Sequence, residues 1–173
     1  FGTSPDGLGV RGNLCSLRIT AVASTITAAR LGGLLPAEQN LIANDTGFCG
    51  AVSVTQSTGS VTGAVIGNVT HSNNTIGIDL DGDRVTLNDV NDTDVGPNGL
   101  QNFPELFLAQ SIAGLGLRVT GQLDIPTASV DARYRLAFYE SAGCDASGHG
   151  EGTIYLGSRD VALSDQTTPT VVQ

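Results

Sequence analysis

No stretch of this chain keeps a convincing 3.6-residue apolar period. Apolar residues come instead in strand-length bursts separated by Gly, Asn, Thr and Ser. Over residues 1–76 these bursts are CSLRIT (15–20), STITAA (24–29), NLIAND (40–45), AVSVT (51–55) and AVIGNV (64–69). The segment LPAEQNLIA is long enough for one helical turn, and Pro36 followed by Glu38 fits a turn equally well. The expected class is therefore all-β, and the 23 glycines and abundant β-branched residues agree with it.

A weak internal repeat narrows the choice. GNLCSLRIT (12–20) and GFCGAVSVT (47–55) both place a Cys before a β-rich run, about 35 residues apart. Repeats of that length with several strands and no helices suggest a solenoid. In a β-solenoid each strand stacks on its equivalent one turn away, and Asn at equivalent turns can form amide ladders. An antiparallel sandwich fits the same pattern, and both architectures stay open on these residues alone. Cys15 and Cys49 sit about one coil apart, so a solenoid would let them face each other as a disulfide. The plain alternative is two small buried apolar residues. Cys144 would then remain alone. No CxxC pair is present, so a zinc site is not expected.

Beyond about Phe107 the texture changes. LRVTGQLDI (117–125) and ARYRLAFYE (132–140) alternate strictly, and most of the aromatic residues lie in this half. Tyr134, Leu136 and Phe138 share one face of a strand, with Arg133, Arg135 and Tyr139 on the other. That is the two-faced pattern of an antiparallel sandwich strand. The boundary falls in GPNGLQNFPEL, where Gly and Pro occupy turn positions.

Between the halves lies a dense acidic segment. Residues 77–106 hold Asp79, Asp81, Asp83, Asp89, Asp92 and Asp94, with Arg84 as the one cation. Asp79, Asp81 and Asp83 recur at i, i+2, i+4, as oxygen ligands do in calcium loops. Asp89, Asn91, Asp92, Asp94 and Asn98 offer a second set. An EF-hand would need Gly where Arg84 stands and Glu where Val90 stands, so this is not one. Asp and Asn also cap turns without metal, which makes a solvated linker the plain alternative. Six carboxylates against one Arg repel one another unless a cation or wide solvation intervenes. All eight of these residues are therefore candidate Ca2+ ligands.

The composition excludes several function classes. A net charge of −9 disfavours nucleic acid and anionic membranes as partners. The chain has no Lys, which excludes Schiff-base chemistry, and no apolar run of about 18 residues, so membrane insertion is not expected. His149 lies near Asp145 and Glu151, which invites a triad or metal reading. No glycosidase-like order of carboxylates accompanies it, and an enzyme is not expected. The N-x-T matches at Asn44, Asn68, Asn73 and Asn91 are of a kind that arises by chance in such chains.

Several stretches resemble a known family. FGTSPDGLGVRGN (1–13) and NLIANDTG are similar to recurrent turns of bacterial right-handed parallel β-helix proteins of the CSLREA-domain type. GIDLDGD followed by NDVNDTDVGPNGLQNFPEL resembles that family's junction, and FYESAGCDASGHGEGTIYLGS resembles the segment that follows it. The resemblance implies β-helix coils over 1–102, with the acidic junction at 77–102, and a small antiparallel β-sandwich over 103–173 that lacks its last strand. It also implies a secreted or cell-surface protein, and it places the His149 position in a loop. The family has no single activity.

The expected function is a non-enzymatic extracellular structural or adhesive module that contacts a surface glycan or protein. Two rivals are a filament subunit that self-associates through open β edges, and a fragment of a carbohydrate-active β-helix protein. The abrupt start at Phe1 suggests a processed product or an excised fragment.

Overall fold

The structure is a computed structural model that describes residues 1–5, 8–126, 133–143, 145–162 and 170–172. Among the described residues the strands are short and the only helical pieces are 3-10 turns, one of them at Pro36–Glu38 where the sequence allowed a helical turn. The chain is all-β, as its strand-length apolar bursts demand.

Seven strands form three parallel sheets. β1 (Leu17–Ala21), β4 (Val52–Gln56) and β7 (Ile78–Leu80) make the first; β2 (Thr25–Leu31) and β5 (Ser60–Val65) make the second; β3 (Leu41–Ala43) and β6 (Val69–His71) make the third. The chain thus visits the three sheets in turn and then repeats the circuit. Leu17 pairs with Val52 and Ile19 with Val54, an offset of 35 residues. For this half the pairing is parallel, so the antiparallel alternative does not hold there.

The offset shrinks along the chain: Leu41 pairs with Val69, 28 residues on, and Val52 with Ile78, 26 residues on. The connections account for this. The link 32–40 before β3 is much longer than the link 66–68 before β6. β2 also carries a bulge between Ile26 and Ala29, where Ala28 adopts a left-handed φ of 55°. The link 44–51 before β4 is likewise longer than 72–77 before β7.

All three sheets feed one apolar cluster. Ala21, Val52, Val54, Val61, Ile42 and Ala51 are buried, with Leu17, Ile19, Ile26, Leu31, Val65 and Leu80 packed around them. Period-two alternation selects these residues: Leu17, Ile19 and Ala21 share a face, as do Val52 and Val54. Full burial of one Val or Leu contributes about 1.5–3 kcal/mol.

Polar residues stack in register at the corners. Asn68 Oδ1 accepts from Asn40 Nδ2 at 2.8 Å, and the Asn68 amide donates to Leu31 O at 3.0 Å. At another corner Asp45 Oδ2 accepts from Ser16 N at 2.8 Å, and Asn73 Oδ1 accepts from Asp45 N at 3.0 Å. Thr20 and Thr55, paired across β1 and β4, share a hydroxyl hydrogen bond of 2.9 Å. The Asn and Asp side chains each satisfy a backbone or amide group of the neighbouring turn, which the corner would otherwise bury unpaired. The Cys15–Cys49 disulfide, with Cα atoms 5.5 Å apart, joins the approach to β1 to the approach to β4. Cys144 lies outside the described residues.

The second half pairs antiparallel. β8 (Glu105–Ile112), β9 (Gly116–Gln122) and β12 (Thr170–Val172) form a sheet in the order β12-β9-β8. β10 (Arg133–Glu140) and β11 (Ile154–Ala162) form a second sheet. The sheets meet through Val119 and Leu117 on one side and Phe138 and Leu136 on the other. Arg135 faces Asp160 across β10 and β11, with a guanidinium–carboxylate bond of 2.7 Å. Register slips after Phe138, so Tyr139 stands opposite Tyr155, their rings 5.5 Å apart and edge-on. No pairing between named strands crosses from the parallel set to the antiparallel set.

Candidate metal centre

The acidic segment starts on β7. Asp79 pairs with Ser53 of β4, and both are buried. β7 ends at Leu80, and Gly82 then turns the chain back with a φ of 81°. That turn brings the Gly82 and Arg84 N–H groups onto Asp79 Oδ1, at 3.0 and 3.1 Å. Asp79 Oδ2 is buried with no hydrogen-bond partner. Burial pushes the Asp79 carboxyl above its ordinary value, with the Asp83 charge adding to it and backbone N–H groups opposing. Asp81 and Asp83 are exposed. The strand end therefore separates the i, i+2, i+4 set: Asp79 tethers the turn while Asp81 and Asp83 face solvent.

The second set divides differently. Asp89, Asp92 and Asp94 each place a carboxylate oxygen within 4.8 Å of the others, the one such group of at least three metal-ligating side chains among the described residues. Asp89 is braced by Thr93, whose hydroxyl donates to Oδ2 at 2.7 Å and whose N–H lies at 3.0 Å. These bonds, the hydroxyl first, hold Asp89 below the ordinary carboxylate range. Asp92 Oδ1 accepts from Asn102 N at 2.8 Å. Asp94 is pushed upward, first by burial and then by the Asp89 and Asp92 charges, and its Oδ1 is buried without a partner. Three converging carboxylates are a hard-oxygen set that could hold a metal ion.

Asn91 and Asn98 serve the loop. Asn91 is exposed with a left-handed φ of 62°. Asn98 Oδ1 accepts from Gly63 N of β5 at 3.0 Å, which ties the junction to the last strand of the second parallel sheet.

Two further residues build this site, and carboxylate spacing points to neither. Buried Asn102 accepts from Asp89 N at 3.0 Å and donates to Asp89 O and Asp124 O at 2.8 and 3.0 Å. Asn88 makes a reciprocal pair with the Phe103 backbone, both bonds 2.9 Å. Their only signal in the sequence is a position just before an acidic residue or within the Gly-Pro-rich boundary.

The histidines take structural contacts. His149 packs edge-on to Phe103 with centroids 4.7 Å apart, and His71 Nδ1 meets Ser72 Oγ at 3.2 Å. Asp145 caps its own turn through Ser147 N at 2.7 Å, while the Glu151 carboxylate accepts from the Asn73 backbone and side-chain amides. The carboxylates beside His149 are thus occupied by turn and corner contacts.

No protein family, curated protein or solved structure matches this chain. Among the described residues no helix is long and apolar enough to cross a membrane.

Proposed function

We propose that this chain is the coil-and-cap end of a right-handed parallel β-helix followed by a small β-sandwich. It acts outside the cell as a non-enzymatic structural or adhesive module, with Ca2+ holding the junction between the two parts. The single observation that carries the calcium reading is the convergence of Asp89, Asp92 and Asp94 in the segment that links the parallel sheets to the antiparallel ones. The circuit of the chain through three parallel sheets and the in-register Asn ladder support the β-helix reading. The Cys15–Cys49 bond is compatible with an oxidising compartment and so supports the extracellular one.

Calorimetric titration with Ca2+ and thermal melts with and without a chelator test this reading. Ligand at a hundredfold excess over Kd stabilises the native state by about 2.7 kcal/mol. Chelation is therefore expected to lower the melting temperature. An unchanged melt, with no heat of Ca2+ binding, removes the metal.

A further inference from the structure

At one corner of the parallel stack each circuit supplies the acceptor for a backbone N–H of the circuit before it. Ser16 N donates to Asp45 Oδ2 at 2.8 Å, and Asp45 N donates to Asn73 Oδ1 at 3.0 Å. These steps span 29 and 28 residues, one circuit each. The third step spans 78 residues: Asn73 N donates to Glu151 Oε2 at 3.1 Å, and Glu151 lies in the link between β10 and β11. The Asn73 side-chain amide donates to Glu151 Oε1 and, at 3.1 Å, to Ile42 O. Buried Asn73 thus binds the previous circuit and the antiparallel half at once.

The backbone beside this corner follows the same pattern. On β6, Val69 N points back to Asn40 O at 2.8 Å, while Thr70 N points forward to Gly152 O at 2.9 Å. Gly152 N returns a bond to Thr70 Oγ1 at 3.0 Å. A Cβ at Gly152 would lie 2.7 Å from Tyr139 Cγ, so glycine lets the backbone lie against Tyr139 and Thr70 together. The same link holds His149, which packs edge-on to Phe103 ahead of β8. Thr70 and Asn73 are both buried, so without residues 151–152 their N–H groups would have no acceptor.

We propose that residues 151–152 stand in for the next circuit at this corner, and that they lock the antiparallel half to the parallel stack so that the two open as one cooperative unit. Glu151 Oε2 does for Asn73 N what Asn73 Oδ1 does for Asp45 N. Gly152 O takes the forward-pointing Thr70 N–H, as a strand of a further circuit would. Four hydrogen bonds therefore cross between the halves within two residues: two from Asn73 to Glu151 and a reciprocal pair between Thr70 and Gly152. Breaking them leaves buried donors bare, so neither half opens at this corner without a penalty on the other. The lock rests on the stacked-coil part of the proposed function and not on calcium, because its residues lie outside the acidic junction. For a structural module it means that strain on one half reaches the other through this corner as well as through the junction.

Scanning calorimetry of the intact, disulfide-bonded chain tests the lock, in Ca2+ and in chelator. A single transition with equal calorimetric and van't Hoff enthalpies is expected in both. Two transitions in the parent overturn the proposal. One transition in Ca2+ that splits on chelation assigns the coupling to the junction and overturns it too, whereas a single transition with no effect of Ca2+ removes only the metal reading. Glu151→Ala is expected to split the transition. Glu151→Gln, which keeps one acceptor, is expected to split it less, and Glu105→Gln on exposed β8 to leave it single. An unsplit Glu151→Ala melt overturns the assignment. Hydrogen exchange of the unmodified chain needs no variant to fold: the Thr70, Asn73 and Gly152 amides are expected to share one protection factor. A spread of about tenfold or more among them, the worth of one hydrogen bond, refutes the lock.

Discussion

Asn68 lies one circuit beyond Asn40, and its Oδ1 accepts both the Asn40 side-chain amide at 2.8 Å and the Asn40 backbone N–H at 3.3 Å. The same side chain donates to Leu31 O and Ile66 O, so a buried amide has its donors and its acceptor engaged at once. Nearby Gly67 carries a φ of 71°, and a Cβ there would sit 1.8 Å from Gly33 O, so the corner admits no side chain at that point. The amide fixes how the link 32–40 meets the link 66–68 despite their unequal lengths.

Asn68→Ala is therefore expected to cost about 1–3 kcal/mol, because buried partners lose their hydrogen bonds together. Asn68→Asp is expected to cost at least as much at neutral pH. It keeps the acceptor toward Asn40 and turns a second oxygen on Leu31 O and Ile66 O. Urea denaturation of the two variants checks the order, and a harmless Asn68→Asp would show that the ladder does not bear on stability.

The Cys15–Cys49 bond closes a segment of 34 residues, nearly one circuit of the stack. A loop of that size constrains the unfolded chain by about 3–4 kcal/mol on the chain-entropy account. The Cys15→Ser, Cys49→Ser double variant is expected to lose stability of that order and to melt earlier. Thermal unfolding under oxidising conditions measures this. A double variant as stable as the parent would mean that the two circuits are held by packing alone.

Some of this architecture was legible in the residues, and some was not. The 35-residue step from Leu17 to Val52 shows in the repeated Cys-and-strand pattern, because both circuits place branched residues at the same alternating positions. The later steps of 28 and 26 residues are invisible, since unequal links and the bulge at Ala28 absorb the differences without marking the apolar pattern. The acidic segment stands out by composition, yet composition does not say which carboxylates converge. Asp79, Asp81 and Asp83 look like one ligand set on paper. A strand end after Leu80 and the turn at Gly82 send them to different environments. Asn98 reads as a ligand by its neighbours, and it is used on Gly63 because β5 is the last strand of its sheet.

Asp79 gives a pH signature. Its folded carboxyl is raised above the ordinary value, chiefly by burial, so the folded state holds the proton more tightly than the unfolded chain does. The linked stabilisation is present below the unfolded value and is lost as pH rises through the folded one. Asp79→Asn keeps an oxygen for Gly82 N and Arg84 N and removes the buried charge, so it is expected to match or exceed the parent at neutral pH and to flatten this part of the pH dependence. Asp79→Ala leaves both N–H groups unmet and is expected to cost about 1–3 kcal/mol. Denaturant midpoints from pH 3 to 7 separate the two. A strongly destabilised Asp79→Asn would mean that the ionised form is required.

Asp94 and Asp89 respond to a cation with opposite starting positions. Without metal, the raised Asp94 carboxyl favours its protonated form in the folded state, so stability is expected to fall as pH rises through its folded value. Asp89 is depressed by Thr93, and its contribution is expected to be present above the ordinary carboxylate value and lost as pH falls through the folded one. Removing the Asp94 charge with Asp94→Asn relieves repulsion from Asp89 and Asp92, so this variant is expected to be neutral or slightly stabilising in chelator. In Ca2+ the same variant lacks one carboxylate ligand, and its stabilisation by the ion is expected to fall well below that of the parent. The sign of the Asp94→Asn effect therefore reverses between chelator and Ca2+ if the three carboxylates hold the ion. Melting curves of parent and variant under both conditions read this directly. An Asp94→Asn shift of the same sign and size in both would place Ca2+ elsewhere and leave Asp89, Asp92 and Asp94 as a solvated acidic turn.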